Sequence, residues 1–261
     1  MRPEPISLQI LTWNSEKTLR NCLASARGCA ETLIIDGGST DGTLEIAKQK
    51  GAKVIPQPGG GAITDFSRVR NAGLQAATQP WILALDSDEV LTPELREEVF
   101  AIAQSSEPGA YLVPRQYVLP GGIRIDHASS YPNARIYFFH RQVCDKWIKP
   151  VHERPQLKPG TRIQMLKHPT LAPIGTPEEF REKNLRYLEI ETQRDKGKGY
   201  GHWLMHRVLH TLRSRLILTL RLLWIWLIPR KGKRLPLRYE MLRFWYGWQL
   251  IVRTAPFRRS R

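Results

Sequence analysis

Short apolar runs alternate with amphipathic stretches through the N-terminal part of the chain. Runs with the length and composition of β-strands are ISLQILTW, ETLIID, AKVIPQP and WILALD. Apolar residues recur at helical spacing in SEKTLRNCLASA, LEIAKQKG, SRVRNAGLQAATQ and TPELREEVFAIAQS, and we expect Ser15 to cap the first of these helices. Alternating strands and helices with short connections predict an α/β fold of the Rossmann-like kind, with an open, mainly parallel sheet flanked by helices.

The pattern changes after residue 110. AYLVPRQYVLPGGIRI predicts a hairpin around Gly121 and Gly122, while ARIYFFHR and RIQMLKH predict short strands. KWIKPVHERPQL has no regular period and is expected to be irregular, and residues 177–196 predict an amphipathic helix. We expect this second half to cover the crevice at the carboxyl ends of the parallel strands, where open α/β sheets bind ligands.

Positive charge and tryptophan are concentrated in the last third of the chain. Residues 181–261 contain 20 of the 40 Lys and Arg residues, only 5 of the 24 Asp and Glu residues, and five of the eight Trp residues. This shift in composition predicts two regions. A near-neutral domain covers residues 1–180, with a helix continuing to about 198, and a basic, Trp-rich helical region covers residues 199–261.

The cysteines and the N-terminal sequence indicate the cellular compartment of the first domain. Cys22, Cys29 and Cys144 are few and unpatterned, which favours neither a disulfide framework nor a zinc site and fits a reducing environment. MRPEPISLQILTW lacks the apolar run of a secretory signal. We therefore expect the first domain to stay in the cytoplasm.

Polar groups follow three of the predicted parallel strands. Residues 12–14 end the first strand, Asp36 ends the second, and the acid trio of Asp86, Asp88 and Glu89 ends the fourth. Because neighbouring carboxyl ends lie side by side, these groups should share one pocket, and the like charges require a positive partner. Alternating carboxylates suit Mg²⁺ or Mn²⁺ bridging a diphosphate. The alternative for a lone D-x-D is that its residues form turns and helix caps.

Several motifs together resemble a known family. LTWNSEKTL, LIIDGGSTDGT, RVRNAGLQAA and WILALDSDE are similar to successive signatures of the family 2 glycosyltransferases, which have the GT-A fold. ARIYFF and VHE resemble later motifs of the branch that adds sugars to the lipopolysaccharide core or related cell-surface glycans. The resemblance covers residues 6–190 and does not extend to the basic C-terminal region.

The resemblance implies a role for each matching residue. The residues that it assigns to the nucleotide sugar are Trp13, Asn14, Asp36, Arg70 and Asp86. Those that it assigns to a divalent cation, Mn²⁺ or Mg²⁺, are Asp86, Asp88 and His168. In these roles Trp13 lies against the base, Asp36 binds the base, and Arg70 meets the diphosphate or the ribose. The alternative for His168 is an ordinary loop histidine.

The mechanism implied by the resemblance is inverting. A single displacement at the anomeric carbon needs one general base and a metal ion that stabilises the departing nucleoside diphosphate. Glu153 is the predicted base, with His152 beside it to orient the acceptor, while Asp126 and Glu89 are the alternatives for the base. Residues 59–66, GGGAITDF, are either a mobile loop at the donor entrance or a plain surface turn.

The expected function is sugar transfer from a nucleotide-sugar donor to a lipid-linked or cell-surface glycan acceptor. A competing interpretation is a non-catalytic nucleotide-sugar-binding protein tethered to a membrane. A sugar-1-phosphate nucleotidyltransferase is disfavoured, because SLQILTWNSEKT lacks the glycine- and arginine-rich loop of that class.

The C-terminal region contains two apolar stretches, LILTLRLLWIWLI and MLRFWYGWQLIV, both bordered by Lys and Arg. Each is shorter than the ~20 residues of a membrane span, and the composition is typical of helices that lie in a membrane interface. We therefore expect a peripheral protein on the anionic inner face of the cell membrane. The alternatives are core packing and a re-entrant hairpin with its bend at Pro229 and Gly232. Nucleic-acid binding is not expected, because a protein that binds a nucleic-acid groove through phosphate contacts has no use for so many leucines.

Overall fold

The computed structural model describes residues 2–59, 63–104 and 107–256. The chain divides into two compact units, Met1–Gln116 with Pro132–Ala172, and Tyr117–Tyr131 with Pro173–Arg261. This division differs from the predicted boundary at residue 180. Residues 117–131 belong to the second unit, and so does the whole helix that was expected to continue from the first domain.

The strands and helices follow one another largely as the sequence predicts. The strands are β1 (Glu4–Thr12), β2 (Cys29–Asp36), β3 (Lys53–Pro56), β4 (Trp81–Asp86), β5 (Val90–Leu91), β6 (Ala110–Leu119), β7 (Ile123–Arg124), β8 (Ala134–His140), β9 (Cys144–Ile148), β10 (Arg154–Leu157), β11 (Ile163–Met165) and β12 (Thr170–Pro173). The helices are α1 (Glu16–Ser25), α2 (Thr43–Gln49), α3 (Phe66–Ala76), α4 (Pro93–Gln104), α5 (Pro177–Asp195), α6 (Tyr200–Trp203), α7 (His210–Leu227) and α8 (Leu237–Arg253).

The sheet of the first unit has a parallel centre. Strands β3, β2, β1 and β4 are neighbours in that order and are all parallel. Strand β8 runs antiparallel to β4, and β6 runs antiparallel to β8. This arrangement confirms the predicted α/β fold with an open, mainly parallel sheet and flanking helices.

The central strands β1 and β4 are buried on both faces. Residues 6–12 of β1 and 81–85 of β4 are buried without alternation, and strands covered on both faces are continuous apolar runs in the sequence. Gly73 lets α3 approach this sheet closely, because a Cβ there would lie 2.9 Å from Cδ1 of Ile35. The buried core of the first unit therefore extends along β1 and β4 up to the strand ends that carry the polar groups.

The stretch KWIKPVHERPQL was predicted to be irregular, and this prediction is wrong. It forms most of an antiparallel hairpin of β9 and β10, with Trp147 opposite Pro155. Trp147 is buried, its backbone N donates to Oδ1 of Asn71 at 2.7 Å, and Nδ2 of Asn71 donates to its carbonyl at 3.0 Å. Two prolines and many charges hide the strand period in the sequence, so a tertiary contact decides the structure.

The helices of the second unit confirm the predictions from periodicity. Helix α5 begins with a capping box, in which the Thr176 hydroxyl accepts from N of Glu179 at 3.2 Å and the Glu179 carboxylate accepts from N of Thr176 at 2.8 Å. The two apolar stretches form α7 and α8, and a π-helix, Leu204–Leu209, leads into α7. Searched across the described residues, no helix is both long and apolar enough to cross a membrane.

Helices α7 and α8 pack closely at Gly247. A Cβ on this residue would lie 2.8 Å from Nε of Arg215 and 3.1 Å from Cγ2 of Thr211. The Arg215 guanidinium also donates to the carbonyl of Arg243. The face of α7 that carries Thr211 and Arg215 is therefore its packed face.

Residues 117–131 are held by the C-terminal helices and their connection. Ser129 donates from its backbone N to Oε1 of Glu240 at 2.8 Å and from its hydroxyl to Oε2 at 2.5 Å. The backbone N of Leu235 donates to the carbonyl of His127 at 2.8 Å. These contacts between residues more than a hundred positions apart explain why this segment belongs to the second unit.

A buried ion-pair cluster connects α5 to the π-helix. Arg207 is bonded to both Glu191 and Asp195, and Nζ of Lys198 lies 3.0 Å from Oδ1 of Asp195. Burial alone would raise the pKa of Asp195, but Arg207 and Lys198 outweigh it and lower this pKa to about 2.

We expect Asp195→Asn to lower the free energy of unfolding at pH 7 by about 2–3 kcal/mol. The pKa of this carboxyl is lower in the folded than in the unfolded chain, so ionised Asp195 stabilises the fold above about pH 4, and the stabilisation is lost as the pH falls toward about 2. Urea unfolding at pH 7 and pH 3 measures this. Glu189→Gln, at an exposed position on the same helix, is the control, and an equal Asp195→Asn effect at both pH values would contradict the expectation.

Candidate active site

The carboxyl ends of β1, β2 and β4 lie together. Thr12 is opposite Asp36 in the pairing of β1 with β2, and Leu11 is opposite Asp86 in the pairing of β1 with β4. The hydroxyl of Thr12 donates to Oδ1 of Asp36 at 2.8 Å. The structure therefore confirms that these polar strand ends share one edge of the sheet.

Ser15 connects the end of β1 to the acid trio. It stands at the N-cap position of α1, but its side chain makes no capping hydrogen bond, so the predicted cap is wrong. Its Oγ lies 2.8 Å from Oγ of Ser87, between the two aspartates of the trio. The backbone N of Glu16 is instead satisfied by Oδ2 of Asp41 at 3.1 Å.

Asp36 organises the loop that follows β2. Its Oδ1 accepts from the hydroxyls of Thr12 at 2.8 Å and Ser39 at 2.6 Å, and its Oδ2 accepts from the backbone N of Gly38 and Ser39, both at 2.8 Å. Burial would raise the pKa of Asp36, but these bonds outweigh it and lower the pKa below its ordinary value. Each oxygen of Asp36 already accepts two hydrogen bonds. A contact of Asp36 with the nucleotide base, which stays a prediction, therefore has to replace one of them.

Asn14 shapes the same loop, and Trp13 is exposed beside it. Asn14 has a φ of 49°, its backbone N donates to Oγ of Ser39 at 2.9 Å, and its Oδ1 accepts from N of Thr40 at 2.9 Å. Asparagine tolerates this left-handed conformation better than most residues. The Trp13 side chain is 54% exposed, which suits stacking against a flat base. Their contacts with a nucleotide sugar stay predictions.

Arg70 is a positive partner of the acid trio. It is fully buried on α3, its Nη2 donates to Oδ1 of Asp86 at 2.7 Å, and its Nη1 donates to the carbonyl of Leu85 at 3.1 Å. Its Nε lies 3.6 Å from Oε1 of Glu153. The geometry makes Arg70 a positioning residue shared by Asp86 and Glu153. Its contact with the diphosphate or the ribose stays a prediction.

Arg115 supplies the second positive charge. It is bonded to Glu89, which is fully buried, and its Nη2 lies 3.6 Å from Oδ2 of Asp86. Burial raises the pKa of Glu89 to about 7 against the opposing effect of Arg115, with the charges of Asp86 and Asp88 adding to the rise. The side chain of Glu89 is thus buried and engaged by Arg115, and its alternative role as the base stays a prediction.

Glu153 stands directly before β10 and is held from two sides. It is 8% exposed, and the hydroxyl of Tyr137 donates to its Oε1 at 3.4 Å, on the same oxygen that faces Arg70. Nη1 of Arg135 in turn donates to the Tyr137 oxygen at 2.6 Å. Burial, together with the charge of Asp86, raises the pKa of Tyr137, so its hydroxyl stays protonated and able to donate.

The turn between β9 and β10 has a strained backbone. Lys149 has a φ of 75° and His152 a φ of 56°, and in the part of the chain that the structure describes Asn14 is the only other non-glycine residue with positive φ. Each such residue costs on the order of 1 kcal/mol, and such strain concentrates at functional sites. His152 is exposed next to Glu153, and its role in orienting the acceptor stays a prediction.

The predicted metal ligands are only partly brought together. Asp86 ends β4, Asp88 lies two residues beyond it, and both are partly exposed. His168 precedes β12 and lies against α4, where its backbone N donates to Oε2 of Glu98 at 3.2 Å. Nowhere in residues 2–59, 63–104 and 107–256 do three or more His, Cys, Asp or Glu side chains form a group that could hold a metal ion. Binding of a metal ion by Asp86, Asp88 and His168 stays a prediction.

Two further predictions concern residues away from these contacts. Asp126, an alternative base, belongs to the second unit, where its Oδ2 accepts from the backbone N of Lys233 at 2.7 Å. Of the predicted entrance loop, residues 60–62 lie outside the described residues. Asp65 in the same stretch caps α3 by accepting from N of Arg68 at 3.1 Å.

Sequence reasoning missed the roles of Arg115, Arg135 and Tyr137. The available signal was the alternation in ARIYFF, because residues two positions apart point to the same face of a strand. Arg135 and Tyr137 share such a face and meet in the structure. No local pattern connects Arg115 to Glu89, which is 26 positions away.

We expect Arg70→Met to lower the free energy of unfolding by about 3–5 kcal/mol, because it leaves Asp86 and Glu153 without their buried counter-charge. Chemical denaturation measures this. Arg68→Met, at an exposed position two residues earlier on α3, removes the same charge and should change stability by less than about 0.5 kcal/mol. Equal effects of the two substitutions would show that the buried ion pairs do not matter for stability.

Comparison with known proteins gives the following matches. The family model described as glycosyl transferase family 2 matches residues 7–155. A TPR repeat-containing protein of Synechococcus elongatus is 33% identical over 180 residues, which cover 65% of this chain and 42% of that protein. The lipopolysaccharide core biosynthesis glycosyltransferase LpsC of Rhizobium meliloti is 28% identical over 139 residues, covering 51% of this chain and 50% of that protein.

Among solved structures, that of S. aureus TarS 1–349 in complex with UDP-GlcNAc is similar over 71% of this chain and 66% of that chain, with 19% identity and a TM-score of 0.47. The chain spans half or less of the length of the two curated relatives described above.

Proposed function

Because this chain belongs to glycosyl transferase family 2, we propose that it transfers a sugar, with inversion, from a nucleotide-diphosphate donor to an acceptor hydroxyl. Its open, mainly parallel sheet is that of the GT-A fold. The observation that carries the proposal is the position of Arg70. This buried guanidinium holds Asp86, expected on the donor side, and Glu153, the expected base, from one point.

The donor side is formed by the ends of β1, β2 and β4. Asp86 and Asp88 offer partly exposed carboxylate oxygens, and Mg²⁺ or Mn²⁺ is commonly held by one or two carboxylates together with substrate phosphates. The two residues therefore fit such a cation, which when bound would neutralise charge on the departing diphosphate. Arg70 and Arg115 hold Asp86 in place. Trp13 provides an exposed aromatic face for the base.

The acceptor side is formed by Glu153 and the turn before it. Glu153 takes the proton from the acceptor hydroxyl as this oxygen attacks the anomeric carbon, while Tyr137 and Arg70 fix the position of the carboxylate. His152 orients the acceptor from the strained turn.

We further propose that the acceptor is a lipid-linked or cell-surface glycan and that the protein acts at the cytoplasmic face of the cell membrane. The name of the relative LpsC, a lipopolysaccharide core biosynthesis glycosyltransferase, supports this class of acceptor. The excess of Lys and Arg in the C-terminal region supports attraction to an anionic leaflet.

The test is turnover by the purified full chain. A panel of nucleotide sugars is incubated with the protein, Mn²⁺ and a detergent-solubilised extract of glycolipid acceptors, and the release of nucleoside diphosphate is measured. Release with at least one donor, dependent on the extract, is expected. If no donor is turned over although calorimetry detects nucleotide binding, the non-catalytic interpretation is correct and the transferase proposal fails.

A further inference from the structure

One face of α7, together with Leu209 at the end of the preceding π-helix, is both apolar and exposed. The side chains on it are between 48% and 75% exposed, and they are Leu209, Leu212, Leu216, Leu220, Leu223 and Leu227. Because they follow one another at intervals of three or four residues, they form one continuous line along the helix. We call this line the leucine stripe, and at 1.5 Å per residue it is about 27 Å long.

The leucine stripe is not the side by which α7 packs within the second unit. Thr211 and Ile225 are the buried residues of α7, and Arg215 and Thr211 lie against Gly247 of α8. On a helix with 3.6 residues per turn, these positions lie on the side opposite the leucines. The stripe therefore contributes little to the fold, and its exposure needs another explanation, since contiguous exposed apolar patches mark interaction sites.

The charges around the leucine stripe are of one sign. Residues 199–261 contain 14 Lys and Arg residues but one acidic residue, Glu240, which is 1% exposed and bonded to Ser129. No exposed acidic side chain therefore occurs in the described residues 199–256. A partner that covers the stripe must accept six leucines and must itself be negatively charged.

Two tryptophans mark the end of the leucine stripe. Trp224 and Trp226 are 57% and 47% exposed. The guanidinium of Arg230 lies 5.3 Å from the ring of Trp224, and that of Arg234 lies 5.6 Å from the ring of Trp226. Indole rings with arginines beside them are typical of the boundary between the acyl chains and the headgroups of a lipid layer.

We propose that the leucine stripe lies in the surface of an anionic phospholipid leaflet, with α7 parallel to the membrane and its arginines against lipid phosphates. The inference rests on the proposed function for the cellular setting, and it names the surface that makes the contact. A second copy that meets the first stripe to stripe fits less well, because it would bring the same cations together and residues 199–256 carry no exposed acid to pair them. A nucleic acid offers phosphates but nothing to bury six leucines.

The experiment is flotation of the full chain with phosphatidylcholine vesicles that contain or lack phosphatidylglycerol. The test variant combines Leu212→Gln, Leu216→Gln and Leu220→Gln. The matched control combines Leu44→Gln, Ile163→Gln and Met165→Gln, which replace similarly exposed apolar residues of the first unit. We expect wild type to float with anionic vesicles only, the test variant to bind them at least about tenfold more weakly, and the control to stay within about twofold of wild type.

Equal flotation of the test variant and the control would overturn the proposal. Sedimentation equilibrium without lipid tests whether a second copy of the chain covers the stripe instead. A wild-type dimer that becomes monomeric in the test variant would assign the stripe to self-association. If the triple substitution lowers the melting temperature, Leu216→Gln alone, with an expected loss of about threefold, replaces it. Turnover of the nucleotide-sugar panel by the same samples separates the two proposals, since failure of the proposed function abolishes the release of nucleoside diphosphate and leaves flotation unchanged.

Discussion

Asp88→Ala is expected to reduce the release of nucleoside diphosphate from the preferred nucleotide sugar by at least about a hundredfold. The physical reason is that Asp86 already shares its oxygens with Arg70 and Arg115. Asp88, like Asp86, is partly exposed, and it lies two residues beyond the end of β4. Removing Asp88 takes away one of the two carboxylates that we propose to hold a divalent cation.

The control for this variant is Glu97→Ala, which removes one carboxylate from an exposed position on α4 and should leave turnover unchanged. Calorimetry with nucleoside diphosphate gives a second readout. Wild type should bind more tightly when Mn²⁺ or Mg²⁺ is present, and Asp88→Ala should lose this difference. If neither cation alters the affinity of wild type, the assignment of the two aspartates to a metal site is wrong.

Glu153→Gln is expected to lower the transfer rate by about a hundred- to ten-thousandfold while donor affinity stays unchanged. The substitution preserves size and still offers an oxygen to the hydroxyl of Tyr137, but an amide cannot take a proton from the acceptor. It also removes one of the two carboxylates that share Arg70. Steady-state rates with saturating donor, together with calorimetric donor affinity, measure both parts of the expectation.

A matched control for Glu153→Gln is available in the same hairpin. Asp145 lies on β9 with a side chain that is 57% exposed, so Asp145→Asn removes a carboxylate without touching the site and should keep full activity. Wild-type rates in Glu153→Gln would mean that another group removes the proton, and His152→Ala would then be the next variant to assay.

The α/β fold was predictable because its centre obeys local rules. ISLQILTW and WILALD are continuous apolar runs, since β1 and β4 are buried on both faces. Helix α5 carries a capping box whose two residues are visible in the sequence. The meeting of Asp36 and Asp86 at one sheet edge followed from strand order alone.

The contacts within the site were less predictable, because they depend on how deeply each side chain is buried and on partners that are distant in the sequence. Arginine is rarely buried unless it is paired, so nothing local indicates that Arg70 is fully enclosed while Arg68 is exposed. Ser15 has the residue type of a helix cap, yet it contacts Ser87 on a different strand end. In each case the deciding contact spans tens of residues.

The contact of Ser129 with Glu240 has a practical consequence for anyone who trims this chain for crystallisation. A stop codon placed before α7 would remove Glu240 and leave the backbone amide and the hydroxyl of Ser129, in the segment 117–131, without their hydrogen-bond acceptors. Such a shortened product should be poorly soluble whatever the helices do in the cell. Point substitutions on the outer surface are therefore the sound way to dissect the C-terminal helices.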